Sequence, residues 1–330
     1  MSLTKHPSSL ARKPLSADLV TPPAARTLPS RPSVGLLKLL PLIVGAALAD
    51  AALGAAVDQT ATRPAPPGVQ VVRDLEYVPG GHERNRLDLY LPERVARPLP
   101  VIVWVHGGGW TNGDKARLPI ASFATNGFAI AAINYRFSQH AIFPAQIHDC
   151  KTAVRWLRAN AKQYGLDSNH IGAWGASAGG HLVALLGTTA GVGELGGPGG
   201  NDDQSSRVQA VVDWYGPTDF LTVGAKETRT RLIGGDPQAI KEKAAKASPM
   251  TYVSSKAAPF LIMHGDRDKT VPISQSEAFA QALKQAGAEV TFVVVKGAGH
   301  GGRLFTSPET LNQIEAFFCK HLTGAKPGSP

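Results

Sequence analysis

With 330 residues, 43% of them apolar, the chain is long enough for one large domain with a substantial core and a short appendage. Its net charge is +9, but residues 1–63 hold +4 of this and the rest is spread thinly, with no Lys/Arg run interleaved with aromatics, which argues against nucleic-acid binding. Two cysteines, Cys150 and Cys319, are too few for a disulfide framework and fit no metal-binding spacing, so two unpaired, mostly buried thiols are expected, with no metal or organic cofactor.

Residues 1–33 are rich in Pro, Ser, Thr, Arg and Ala and show no apolar periodicity, a composition that cannot bury a core. Within residues 34–49 the uninterrupted apolar run, Leu39–Ala49, is 11 residues long. A membrane span needs roughly 20. The length suits the apolar region of a secretory signal, and Ala47-Leu48-Ala49 supplies a small-residue cleavage pattern. A secreted or periplasmic location is expected on this reading, and a cytoplasmic one if the segment is only an extension. The whole extension is taken as 1–67, the folded domain as 68–322 and a disordered tail as 323–330.

From residue 69 onward, short apolar runs alternate with helical patterns, which points to an α/β fold with a mostly parallel sheet flanked by helices. Strands are expected at 69–75, 86–91, 101–105, 128–134, 170–174, 208–214, 259–264 and 290–295. The run Val101–Val105 is wholly apolar, as for a strand covered on both faces. Helices are expected at 144–164, 178–187, 274–286 and after Ser307-Pro308, where Ser307 suits the cap and Pro308 the first turn. Residues 215–258 exceed an ordinary crossover and read as a small cap insertion with a helix over 237–247.

Gly175-Ala176-Ser177-Ala178-Gly179 has the G-x-S-x-G pattern between a strand and a helix, the setting of a nucleophile elbow. Ser177 is the candidate nucleophile, and the N–H of Ala178 is a natural oxyanion donor. His106-Gly107-Gly108-Gly109-Trp110 follows a buried strand directly, and such glycines let N–H groups approach a reacting carbonyl oxygen. Gly108 and Gly109 are the candidate donors there. His106 is expected to anchor the loop, and Trp110 either to form a pocket wall for substrate or to sit in the core.

The expected chain order is Ser, acid, His. His300 lies between glycines five residues past a strand and is the candidate base, ahead of His321. His181 is expected to be structural, because it shares a helix with the elbow. In the loop after 259–264, Asp268 is the candidate acid, with Asp266 expected to bond loop N–H groups. Asp213 and Asp219 stay open as alternatives.

Together, HGGGW, NYRFS, GASAGGHL, DWYGPTDF, SPMTYV, HGDRDKTVP and GAGHGG resemble the bifunctional feruloyl/acetyl xylan esterase-like branch of the α/β-hydrolase fold. That branch is close to the hormone-sensitive-lipase-like carboxylesterases, which usually have GDSAG where this chain has GASAG. The resemblance covers roughly residues 70–320. It implies a serine carboxylic-ester hydrolase acting on short-chain acyl esters, free or linked to polysaccharide, without a stable membrane span. Oligomeric state stays open, a homodimer included. An arylformamidase-type amidase and a catalytically inactive binding protein are the alternatives.

If the apolar segment is a signal, mass spectrometry of protein from the native host should find a start between about residues 49 and 60. Intact Met1 on soluble cytosolic protein would refute that reading.

Overall fold

The computed structural model describes residues 65–94, 96 and 98–324; the signal-like segment and the last six residues lie outside the described residues. Eight strands form one sheet: β1 (Val69–Glu76), β2 (Arg86–Pro92), β3 (Leu99–Val105), β4 (Ala129–Ile133), β5 (Leu166–Ala176), β6 (Ala210–Trp214), β7 (Phe260–Gly265) and β8 (Val290–Val295). Their spatial order is β1-β2-β4-β3-β5-β6-β7-β8. β2 pairs antiparallel with β1 and with β4, and all other pairs are parallel.

The central strands are apolar on both faces because both faces are covered. Along β3, Val101, Val103 and Val105 enter one core while Ile102 and Trp104 enter the other. The first core is closed by α1 (Ala145–Ala159), α3 (Ala178–Thr188) and α6 (Ser274–Gln285), through residues such as Ile147, Leu182 and Phe279. The second is closed by α7 (Pro308–Phe318), through Ile314 and Phe318. Ser307 caps α7, its side chain accepting the Thr310 N–H. Cys150 and Cys319 are buried and unpaired. No helix among the described residues is long and apolar enough to cross a membrane.

The structure departs from the sequence reading in three places. The single helix expected over 144–164 breaks at Asn160, between α1 and a one-turn α2 (Ala161–Tyr164). There the Asn160 side-chain amide donates to the Trp156 carbonyl at 2.9 Å, competing for a helix acceptor. β5 runs from residue 166 because its early part still pairs with β3, at Leu99 opposite Leu166. In the insertion, the helix expected over 237–247 shrinks to α5 (Lys241–Lys246). Asp236 accepts the Gln238 N–H at 2.7 Å and holds the preceding residues in a turn. A further helix, α4 (Glu227–Ile233), precedes it, with Arg229, Leu232 and Ile233 buried.

Candidate active site

The candidate residues lie where strands of the parallel sheet end, the usual place for chemistry in such a sheet. The oxyanion-type loop follows β3, Ser177 follows β5, Tyr215 follows β6, Asp268 lies beyond β7 and His300 beyond β8. Ser177 occupies a left-handed backbone conformation, φ 55° and ψ −116°. Such a conformation costs on the order of 1–3 kcal/mol in a non-glycine residue and persists only where its surroundings impose it. Here they do. A Cβ on Gly175 would overlap the Gly179 carbonyl, and one on Gly179 would overlap the Val105 carbonyl. The Ser177 N–H is held by the Trp214 carbonyl at 2.8 Å.

Ser177 Oγ–H donates to His300 Nε2 at 2.8 Å, and His300 Nδ1–H donates to Asp268 Oδ2 at 2.6 Å. Because the hydroxyl needs an acceptor at Nε2, the imidazole carries its proton on Nδ1. Asp268 also accepts the N–H groups of Thr270 (2.7 Å) and Val271 (2.9 Å) through Oδ1. Its burial disfavours the charge, but hydrogen bonds from His264, His300 and these two N–H groups outweigh it and hold the carboxyl well below the usual range. Of the competing acids, Asp266 accepts the Gly297 N–H at 2.7 Å, as expected of a loop aspartate. Asp219 accepts from Leu221 N–H and the Thr222 hydroxyl within the insertion. Asp213 lies beneath the elbow and bonds the Gly216 N–H.

His106 and His181 are both built in rather than presented. Arg84 donates to His106 Nε2 at 3.2 Å, so Nδ1 carries the proton and donates to the Gly107 carbonyl at 2.7 Å. Trp110 Nε1–H donates to His181 Nδ1 at 3.2 Å, so His181 Nε2–H donates to the Ala247 carbonyl at 2.7 Å. Burial lowers each imidazole to about 4, leaving both neutral at physiological pH. His321 faces Glu289 at 3.4 Å, on the C-terminal segment.

Gly108 and Gly109 have φ of 118° and 60°, which glycine adopts freely. The N–H groups of Gly108, Gly109 and Ala178 have no acceptor among the described residues. A cavity of about 500 Å³ opens over Ser177 and His300, bounded by this loop, by Tyr215 and by Lys226, Thr228 and Arg229 of the insertion. Trp110 also lines it, yet it is only 3% exposed, packed against His181 and Phe220. Of the two positions expected for Trp110, the ring therefore takes largely the core one, with little of it left facing the cavity.

Sequence reasoning missed three supports. His264, at the end of β7, lies with Nε2 3.2 Å from Asp268 Oδ2, and its Nδ1 accepts the Ser276 hydroxyl at 2.7 Å. Tyr215 sets its ring 4.7 Å from the His300 ring, centre to centre. Arg84 also donates to the Tyr135 and Gly113 carbonyls, at 2.8 and 3.1 Å. A histidine at a strand end and the tyrosine after DW were visible signals, while Arg84 offered none.

A mostly parallel sheet bearing a serine elbow, a glycine loop and this hydrogen-bonded row at its strand ends defines an α/β hydrolase. Comparison with known proteins narrows the class. The BD-FAE family model matches residues 87–283. Esterase LipC of Mycobacterium tuberculosis is 33% identical over 281 residues, covering 77% of this chain and 68% of LipC. A truncated carbohydrate esterase from gut microbiota superposes with a TM-score of 0.75 at 34% identity, covering 79% of this chain and 99% of that one. The thermophilic esterase Est2 of Thermogutta terrifontis, solved with butyrate bound, gives a TM-score of 0.66 at 27% identity, covering 80% of this chain and 97% of that one. The chain belongs to the BD-FAE family, and it is a carboxylic-ester hydrolase.

One prediction concerns Asp213, whose carboxyl burial raises to about 6. An unfolded aspartate ionises near about 4. Ionisation in the folded state therefore costs stability as pH rises through that window, and the cost is constant above it. Asp213→Asn keeps an acceptor for Gly216 and removes the charge. It should stabilise the protein at pH 8 relative to pH 4 by up to about 3 kcal/mol in urea unfolding. An equal effect at both pH values would contradict this.

Proposed function

We propose that this chain hydrolyses short-chain acyl esters through a Ser177–His300–Asp268 triad and a covalent acyl-enzyme. The observation that supports the reading best is the hydrogen-bonded row Ser177–His300–Asp268, at 2.8 and 2.6 Å, opening onto the cavity. Ser177 Oγ attacks the ester carbonyl carbon as His300 Nε2 takes its proton. The oxyanion sits among the N–H groups of Gly108, Gly109 and Ala178, each such donor contributing about 3 kcal/mol in the transition state. The carbon–oxygen bond to the alcohol breaks, and His300 returns the proton to the leaving oxygen. Water, deprotonated by His300, then releases the acid and restores Ser177. Asp268 keeps the Nδ1 proton in place and stabilises the imidazolium.

The acyl groups are acetyl to butyryl in this reading. The insertion places Lys226, Thr228 and Arg229 on one wall of the cavity rather than a broad apolar helix face, so an acyl chain long enough to reach that wall would meet charged and polar groups. The butyrate bound to Est2 agrees in size. The likeness to a carbohydrate esterase supports acetylated sugars as the natural source. Covered Trp110 argues against feruloyl groups.

Ser177→Ala should abolish turnover in a folded protein. Asp268→Asn should lower kcat by about 10⁴, whereas Asp266→Asn should cost about 1 kcal/mol of stability and little rate. The reverse pattern for the two aspartates would move the acid to Asp266. On 4-nitrophenyl esters, kcat/KM should peak between acetyl and butyryl and fall by octanoyl. A maximum at decanoyl or beyond, with activation on triglyceride emulsions, would overturn the short-chain reading.

A further inference from the structure

The cavity over Ser177 carries an electrostatic asymmetry that ester hydrolysis alone does not use. Two cations from the insertion, Lys226 and Arg229, line one wall, and no Asp or Glu is among the lining residues. Arg229 is only 3% exposed. Its Nη1 donates to the carbonyls of Val223 and Gly224, both at 2.9 Å, and its Nη2 to the Thr270 carbonyl at 3.3 Å. Lys226 Nζ donates to the same Thr270 carbonyl at 2.7 Å. These acceptors are neutral. Among the described residues neither cation has a carboxylate within ion-pair distance. The one carboxylate of the site, Asp268, is spent on His300, His264 and the N–H groups of Thr270 and Val271.

A buried guanidinium ordinarily has a counter-charge, because removing it from water is costly. Arg229 keeps its Nε–H and one Nη2–H without an acceptor among the described residues. A planar guanidinium with free N–H groups suits a carboxylate, and the adjacent ammonium adds charge without demanding a particular geometry. Thr270 ties both cations to the loop that carries Asp268, so their positions follow those of the triad.

We infer that this wall recognises a carboxylate on the substrate, so that the preferred esters are anionic: hemiesters of dicarboxylic acids, or acyl esters of acidic sugars. The reading rests on ester hydrolysis at Ser177 and adds a charge specificity to it. The carboxylate can sit on the acyl or the alcohol side, and paired substrates separate the two. Mono-4-nitrophenyl glutarate against 4-nitrophenyl butyrate tests the acyl side, and an O-acetylated uronic acid against the matching neutral sugar acetate tests the alcohol side.

The readout is the ratio of kcat/KM, anionic over neutral, within each pair. In at least one pair it should exceed one at low ionic strength and fall as salt rises from about 20 to about 500 mM, because salt screens the attraction. Lys226→Glu should lower that ratio by about tenfold or more, and Lys226→Arg should restore it to within about threefold. Lys226 is exposed, so these variants leave the core intact. Turnover of neutral esters with no anionic preference in either pair, or an unchanged ratio in Lys226→Glu, overturns the inference and leaves the ester reading standing. If no ester of either pair is turned over, the ester reading fails. The wall is then judged by calorimetric binding of monomethyl glutarate and of a free uronic acid to Ser177→Ala protein. For either one, binding that weakens about tenfold when Lys226→Glu is added supports the wall, and no such change for both refutes it.

Discussion

The site rests on a close approach between one helix start and one strand end. The first turn of α3 is pressed against the end of β3 so tightly that Gly179 has no room for a side chain beside the Val105 carbonyl. Gly180 is equally confined by Asp213 and the Trp214 carbonyl at the end of β6. One helix start is thus wedged between the ends of two strands. That wedge imposes the left-handed backbone of Ser177, and it also sets the glycine loop after β3 beside the serine. A Cβ on Gly107 would lie 2.8 Å from the Ala176 carbonyl, so loop and elbow share one surface. The candidate nucleophile and the candidate oxyanion donors are therefore positioned by the same contact.

Around this wedge the protein spends its histidines unequally. His106 secures the glycine loop, His181 joins Trp110 to the insertion, and His264 stands behind Asp268. Each has both ring nitrogens engaged, and all three are buried. Among the described residues only His300 combines a fixed Nδ1 with an Nε2 directed at a hydroxyl in the cavity. The same imidazole chemistry serves as scaffold in three places and is presented to the cavity in one, and the difference lies in what the second nitrogen meets. Tyr215, packed on His300 and itself in a left-handed conformation at φ 46°, limits where that ring can go.

The insertion completes the cavity without supplying any member of the Ser177–His300–Asp268 row. It closes one wall of the cavity with Lys226, Thr228 and Arg229, and it is anchored to the catalytic body by the carbonyls of Ala247 and Thr270. Thr228 also stands near Gly109, where a Cβ would approach its methyl group to 3.1 Å. The insertion's wall of the cavity and the glycine loop are thus neighbours in space. Replacing the insertion would alter that wall, whereas the Ser177–His300–Asp268 row belongs to the sheet.

The local part of this protein was readable from its residues. Apolar runs of strand length, glycines flanking Ser177 and His300, and Gly107–Gly109 after Val105 are signatures of backbone that must turn sharply or come close. Such demands leave marks within a few neighbouring residues. They sufficed for the α/β class, and for naming Ser177, His300 and Asp268 as the side chains that the structure joins in one hydrogen-bonded row. What the tertiary structure alone decided are pairings across long separations. Arg84 meets His106, Trp110 meets His181, Arg229 meets Thr270, and the aromatic face of Trp110 is covered by Phe220. A side chain's partner across 40 or 100 residues follows from how strands order in the sheet, and β3 lies between β4 and β5 for reasons spread over the whole core. The break at Asn160 and the shortened α5 have the same origin at smaller scale. Periodicity reports which face is apolar, whereas a side chain that captures a backbone group ends the helix.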